Sequence, residues 1–334
     1  MRGGGICCAG SMIVDITYPI EAWPKQGELT HITEGIQASA GGCVCNTIMD
    51  LARLDPSLRL TASGFAGHDS EGEFLLSELG RYPNIDLSMV RRNGSTSFTA
   101  VMSDQRIMER TFFQYAGANA CYGEGEIDWD RLEVDILHIG YLLLLPHLDE
   151  PDVAYGTKMA RLLCRAQERG IRTSIDVVTE AGDRFAAVIP PALQYTDYCV
   201  INELEAQQIT GVPLRNAGGG LQRENLLLAL ERLRAMGVSV WAAIHCPELG
   251  CGLDGNGNYY EQPSLRLPEG FIRGAVGAGD AFCAGMLYGA YSGWTMPEAL
   301  RLAVCTAAAS LRQPGASSGV GTVEEVLALG RQYL

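Results

Sequence analysis

The run Arg273-Gly274-Ala275-Val276-Gly277-Ala278-Gly279-Asp280-Ala281-Phe282-Cys283-Ala284-Gly285 holds the residue types best suited to chemistry. Gly274, Gly277 and Gly279 let the backbone turn tightly and approach a ligand closely. A helical pattern follows at once, with Phe282, Met286 and Ala290 on one face. The first N–H groups of such a helix lack intrahelical acceptors and carry partial positive charge. The backbone of Gly277, Ala278, Gly279 and Asp280 is therefore a candidate anion hole for a phosphoryl group in transfer, where one well-aimed donor is worth about 3 kcal/mol. Asp280 stands at its mouth. A carboxylate there can take the proton of an attacking hydroxyl, a role worth roughly 10²–10⁴ in rate. The pattern alone leaves a second reading of equal weight, in which Asp280 merely caps the helix.

The elements around this turn must come from a chain of 334 residues with a formal net charge of −14. A duplex-binding surface needs clustered Lys and Arg, and the sequence has no such cluster. Neither a nucleic acid nor an anionic membrane is an expected partner. The longest apolar run, Ile136 to Leu145, contains His138 and Gly140 and stops at Pro146; it is too short to span a bilayer and reads as a buried strand. Eleven cysteines occur without a Cys-x-x-Cys pair, and five histidines without His-Glu-x-x-His. The spacing of a catalytic metal site is absent, and reduced, mostly buried thiols in a cytoplasmic protein are expected.

Along the chain, Ile6 to Val14 reads as a first buried strand, Leu29 to Ile36 as a more exposed strand, and Ser95 to Tyr115 as a hairpin turning at Asp104-Gln105. Regions 27–36 and 96–115 would form a small sheet away from the core. Helices are expected over Cys43–Leu54, Glu71–Leu79, Val153–Arg169 and Leu221–Met236, with strands over Leu60–Ala66, Val134–Leu145, Ile171–Val178, Asp197–Ile201 and Val238–Ile244. Three more helices follow at about 280–292, 297–312 and 322–332. This alternation predicts an α/β fold with a mostly parallel sheet covered by helices on both faces. Asp176 ends a predicted strand, where ligands collect in open α/β sheets, although a turn role fits it equally. Asp69 reads as a structural turn residue.

Taken in order, several motifs resemble the ribokinase-like (PfkB) family of carbohydrate kinases across nearly the whole chain. Gly277-Ala278-Gly279-Asp280 is similar to its C-terminal Gly-Ala-Gly-Asp signature. Gly10-Ser11-Met12-Ile13-Val14-Asp15 resembles its opening strand, and Gly41-Gly42 with Asn46 its N-terminal Gly-Gly-x-x-x-Asn signature. Gly64-Phe65-Ala66-Gly67-His68-Asp69 with Gly72 resembles its Gly-x-x-Gly-x-Asp-x-x-Gly turn, and Asn202-Glu203-Leu204-Glu205 its Asn-x-x-Glu motif.

The resemblance implies a three-layer α/β/α domain over residues 1–334 with a β-sheet lid from about 17–38 and 96–115. It implies an ATP-dependent kinase with Asp280 as base. Asp15, Gly41, Gly42 and Asn46 would bind a sugar-like substrate; Asn202 and Glu205 would organise Mg²⁺ and the phosphates, largely through water. Gly250 and Gly315 would lie in the nucleotide site, Gly250 in a turn after the strand at 238–244 and Gly315 in the segment Ala308 to Ser318. Pairing of lids implies a homodimer. Each motif also has a plain reading: Asp15 as a satisfied strand-end carboxylate, Gly41-Gly42 as an ordinary turn, Asn202 and Glu205 as a helix start. Two features depart from the family. Gly274-Ala275 stands where Asp-Thr is frequent, so the monovalent cation that often sits beside the anion hole does not carry over. His245-Cys246-Pro247-Glu248-Leu249-Gly250-Cys251-Gly252 stands where the family usually has a Thr- or Lys-containing Gly-x-x-Gly turn, with Gly250 as the residue that would keep the turn and no adenine contacts assigned. A nucleoside kinase of the same family, or a non-catalytic sugar-binding regulator, would share most of these motifs; a dinucleotide-dependent oxidoreductase would need a Gly-x-Gly-x-x-Gly after the first strand, which is missing.

Overall fold

The computed structural model describes residues 3–33, 35–107, 109–179, 182, 184–313, 315 and 318–333. In chain order the elements are β1 (Ile6–Gly10), β2 (Ile13–Ile20), β3 (Gln37–Gly41), α1 (Gly42–Leu54), β4 (Leu60–Ala66), α2 (Ser70–Leu79), β5 (Ile85–Arg92), β6 (Phe98–Asp104), β7 (Glu109–Tyr115), β8 (Ile136–Leu142), α3 (Pro146–Asp149), β9 (Pro151–Asp152), β10 (Gly156–Thr157), α4 (Lys158–Glu168), β11 (Arg172–Val177), α5 (Phe185–Leu193), β12 (Tyr198–Asn202), α6 (Glu203–Thr210), α7 (Leu226–Ala235), β13 (Trp241–His245), β14 (Leu249–Asp254), β15 (Tyr259–Pro263), α8 (Ala278–Tyr291), α9 (Met296–Ser310) and α10 (Val323–Tyr333).

Nine strands form the main sheet in the order β15-β14-β13-β12-β11-β8-β1-β4-β5. β13 through β5 pair in parallel, and β14 and β15 add an antiparallel edge. The parallel strands are nearly continuous apolar runs because both faces are covered. One face packs against α1, α2, α8, α9 and α10, the other against α4 to α7. This is the expected three-layer α/β/α arrangement. No helix among the described residues is long and apolar enough to cross a membrane.

The second sheet has the order β3-β2-β6-β7. Its hairpin matches the expectation for 96–115, but its other half does not match 27–36. Among the described residues of that region only Ile32 forms a bridge, to Ile20, and the place beside β2 is taken by Gln37–Gly41. The first strand is also not one strand. Ile6–Gly10 stays in the main sheet, and the chain then crosses at Ser11-Met12 into the small one. The crossing is pinned by the buried Asn119, whose Nδ2 donates to Ser11 Oγ (3.2 Å) and Met12 O (3.0 Å). Asp69 is structural, as expected. It caps α2 through Gly72 N (2.9 Å) and accepts from Thr96 N (2.7 Å) and Thr96 Oγ1 (2.5 Å), fixing the root of the hairpin. Helix α4 begins at Lys158, not Val153, because Thr157 caps it by accepting from Ala160 N and 151–157 is spent on the short β9–β10 pair.

Candidate active site

The carboxyl ends of β8, β11, β12 and β13 and the N-termini of α1 and α8 meet on one side of the main sheet, the usual ligand edge of an open α/β fold. Asp280 is the third residue of α8. The helix is capped by Gly277, whose φ of +79° lies in the left-handed region that suits glycine, and Asp280 makes no cap bond. The cap reading of Asp280 is thereby ruled out. Its Oδ2 accepts instead from Asn46 Nδ2 and from the Tyr141 hydroxyl, each at 2.9 Å. Burial pushes the carboxyl up to about 6; the bonds from Asn46 and Tyr141 oppose the shift, and the charge of Asp15 adds to it. At the start of α8 the Ala278 N–H makes only a long 3.4 Å bond to Ala275 O, and among the described residues those of Gly279 and Asp280 have no backbone acceptor. Unsatisfied amides of this kind suit an anion.

Asp15 lies on β2 of the small sheet, opposite Ser39 and Thr99, not at the end of a main-sheet strand. Burial raises its pKa, while a hydrogen bond from Thr99 lowers it. A Cβ on Gly41 would overlap the Asp15 carboxylate, so the missing side chain lets the small sheet close against α1. Gly42 opens α1, and Asn46 follows one turn later. Asn46 is buried, its Nδ2 is taken by Asp280, and its Oδ1 has no hydrogen-bond partner among the described residues. A buried acceptor without a donor is costly, and a hydroxyl-bearing ligand would satisfy it.

Asn202 and Glu205 form a capping box on α6. Asn202 Oδ1 accepts from Leu204 N and Glu205 N (both 2.9 Å), and Glu205 Oε2 accepts from Asn202 N (2.9 Å). The plain helix-start reading is therefore correct as far as it goes. Yet Glu205 also lines a cavity of about 260 Å³ with Tyr141, Asp176, Thr179, His245 and Asp280. Its Oε1 accepts from Asn202 Nδ2 (2.7 Å) and Thr179 Oγ1 (2.9 Å). Burial pushes it up to about 7, opposed by the Asn202 amide and Thr179 and reinforced by Asp280. Three carboxylates facing one cavity suit a hard, oxygen-liganded cation such as Mg²⁺. Since both Glu205 oxygens already accept protein hydrogen bonds, contact through the ion's waters fits better than direct ligation.

A larger cavity of about 650 Å³ adjoins it and shares Asn202, His245 and Gly279. Its wall is mainly apolar, with Leu249, Leu265, Phe282, Ala308 and Leu311. Gly250 lines it, but from strand β14, paired with His245, and not from a turn; a Cβ there would strike the Phe282 ring. Gly315 is not among its lining residues, which from the C-terminal segment include Ala307, Ala308 and Leu311. Pro314 and Ala316 lie outside the described residues.

Sequence reasoning missed Tyr141, Thr179 and the position of His245 between the two cavities. Tyr141 has φ +60° and Leu143 φ +81°, left-handed values that cost on the order of 1–3 kcal/mol each in a non-glycine residue. Asp176 Oδ1 holds the bent strand end by accepting from Tyr141 N at 2.5 Å. A strand-end tyrosine gives no signal of this in the sequence. His245 was visible only as part of an atypical segment.

A nine-stranded, mostly parallel sheet between two helical layers, a small separate sheet, and an acidic centre at a glycine-started helix define a ribokinase-like α/β protein. The profile of the pfkB family of carbohydrate kinases matches residues 5–322, and the chain belongs to that family of sugar kinases. It is 25% identical over 322 residues to a ribokinase of Arabidopsis thaliana, covering 96% of this chain and 79% of that protein. Its fold is similar to that of the structure of Arabidopsis thaliana ribokinase complexed with ribose and ATP (TM-score 0.81, 21% identity, 98% of each chain). It is also similar to that of 2-dehydro-3-deoxygluconokinase from Thermotoga maritima (TM-score 0.76, 17% identity, 98% of this chain and 99% of that one).

Proposed function

We propose that this sugar kinase uses ATP to phosphorylate a hydroxymethyl group of a sugar or sugar-like substrate, with Asp280 as general base. The observation that carries the reading is the Asp280 carboxylate, buried beside the free amides of α8 and held by Asn46 and Tyr141. The substrate lies between Asp15, Gly41, Gly42 and Asn46, whose unpaired Oδ1 accepts one of its hydroxyls. The larger cavity takes the adenosine, against Gly250 and Phe282; Gly315 is assigned to the nucleotide on the motif resemblance alone. The phosphates run past Asn202 and Glu205 to the α8 terminus, where the 277–280 backbone receives the transferring phosphoryl group. Asp280 takes the hydroxyl proton as the oxygen attacks in line, and positioning with fixed dipoles supplies most of the rate. Mg²⁺, held near Glu205 and Asn202 through water, supplies charge neutralisation for the phosphates.

The small sheet acts as a lid that excludes water from the transfer, over a chain that works as one domain. Its edge strand β7 carries the exposed Phe112, Phe113 and Tyr115, with Phe113 stacked on Trp23. This supports a homodimer through the lid, which sedimentation at micromolar concentration would test. Eleven free cysteines support a reducing, cytoplasmic setting. The decisive experiment is a phosphorylation screen with Mg·ATP over sugar and nucleoside panels, run on wild type and Asp280→Asn. Turnover of a sugar by the wild type, with sugar binding kept and turnover lost in the variant, is expected. Wild-type turnover in Asp280→Asn removes the base assignment, and turnover confined to nucleosides removes the sugar assignment.

A further inference from the structure

Behind the catalytic carboxylate lies a group of side chains that the proposed reaction does not use. His138 comes from β8, Asp176 from β11, and Cys283 from α8, one turn after Asp280. All three are buried, and a ligand-type atom from each lies within 4.8 Å of the other two. His138 Nε2 stands 3.7 Å from Asp176 Oδ2 and 3.9 Å from Cys283 Sγ. The first separation is too long for a hydrogen bond. In a tetrahedral zinc site, bond lengths of about 2.0–2.3 Å put nitrogen, oxygen and sulfur ligands roughly 3.3–3.6 Å apart. The two separations from Nε2 exceed those of such a site by a few tenths of an ångström, and the third, between Asp176 and Cys283, lies within 4.8 Å.

The supports of the group are also in place. The other ring nitrogen of His138 is hydrogen-bonded to Ser174 Oγ at 3.0 Å, which fixes the ring plane and turns Nε2 toward the gap. The other oxygen of Asp176 is fixed by Tyr141 N. We propose that His138, Asp176 and Cys283 form a binding site for a borderline-soft divalent cation of the zinc type, distinct from the oxygen-liganded magnesium of the phosphates. Imidazole and thiolate ligands select against Mg²⁺. Asp176 also lines the smaller cavity, the side from which an ion would enter and where a fourth, non-protein ligand would sit. Burial holds the Asp176 carboxyl and the Cys283 thiol well toward their neutral forms; a dication offsets both charges, and the carboxyl and thiol protons both leave to solvent on binding. The ion reaches the base in two links, through Asp176 to Tyr141 N and through the Tyr141 hydroxyl to Asp280. The three ligands are separated by 38 and 107 positions and come from three elements, so no sequence spacing announces them.

The test uses full-length protein stripped with chelator and titrated with Co²⁺ alone. One Co²⁺ per chain is expected, with a thiolate-to-cobalt charge-transfer band that equimolar Zn²⁺ removes and excess Mg²⁺ leaves in place. Cys283→Ser should abolish the band, whereas Cys121→Ser, at an exposed thiol, should retain it. Ser174→Ala should weaken binding by roughly 10–100-fold, the effect of losing an outer-shell partner. If Cys283→Ser does not fold, the near-isosteric Asp176→Asn serves, and a larger affinity loss than in Ser174→Ala is expected. Displacement by Mg²⁺, a band that survives in folded Cys283→Ser, loss of the band in Cys121→Ser, or unchanged affinity in Asp176→Asn each overturns the proposal. None of these readouts depends on kinase activity.

Discussion

The hydroxyl of Tyr141 donates a 2.9 Å hydrogen bond to Oδ2 of Asp280, joining the end of β8 to the start of α8 across 139 residues. The bond favours the charged carboxylate, as does the one from Asn46, and both oppose the burial that holds the carboxyl near 6. A base must be deprotonated to act, so activity should rise with pH through that value and level off above it. Tyr141→Phe removes one donor and keeps the ring. The acid limb of kcat should then move to higher pH by about one to two pH units, since hydrogen bonds to charged groups are worth about 1.5–3 kcal/mol. A pH–rate profile reads this directly. An unmoved limb with uniformly lower kcat would mean that Tyr141 serves only to pack the site.

Asp280 should also weaken the fold that holds it. Its carboxyl is raised from 3.8 to about 6, so between those values the native state binds more of this proton than the unfolded chain. The group's contribution to stability therefore falls as pH rises through that window and stays adverse above it. Asp280→Asn should melt within error of wild type near pH 4 and higher than wild type at pH 8. About 3 kcal/mol is the ceiling, because each tenfold change in proton affinity is worth roughly 1.4 kcal/mol. Thermal melts across pH check it; equal midpoints at pH 8 would show that Asn46 and Tyr141 already offset the burial.

The short motifs were legible because each is local. The Gly277 turn, the Asn202 helix start and the structural turn at Asp69 depend on residues three or four apart, and the helices α1, α2, α8 and α9 on an apolar periodicity that survives in the fold. What was misread depends on distant residues. Ile6 to Val14 looks like one strand because its side chains give no sign of the break; Asn119, more than a hundred positions away, makes it. Strands β14 and β15 were missed because Gly250, Gly252, Gly255 and Gly257 read as loop, whereas Phe282 and Met296 fill the space above Gly250 and Gly252. Tyr141 reaches the site only through a left-handed backbone that Asp176 helps hold.

Asn202 has two roles that one substitution can separate. Its Oδ1 caps α6, and its Nδ2 orients Glu205. Asn202→Ala should lose about 1 kcal/mol of stability, as is usual for a lost cap. It should also raise the KM for Mg·ATP severalfold and leave that for the sugar unchanged. Asn202→Asp retains the cap acceptor but sets a second carboxylate beside Glu205. It should recover most of the stability and not the nucleotide KM. Denaturant melts and two-substrate kinetics on both variants distinguish the roles; equal rises in both KM values would point to general loosening of the site.

Gly277 is where backbone conformation and chemistry meet most closely. A φ of +79° costs a residue with a Cβ about 1–2 kcal/mol, and here the strain falls on the turn that aims the α8 amides. Gly293, just beyond the other end of α8, has a similar φ of +72° and open space around it. Gly277→Ala and Gly293→Ala should therefore lose similar stability through the same backbone penalty. Only Gly277→Ala should lose turnover, by roughly 10²-fold or more if the amides stabilise the transferring phosphoryl group, with sugar affinity kept. Because the two substitutions share their folding cost, equal kcat in the pair would show that the amides of this turn do not act in the transition state.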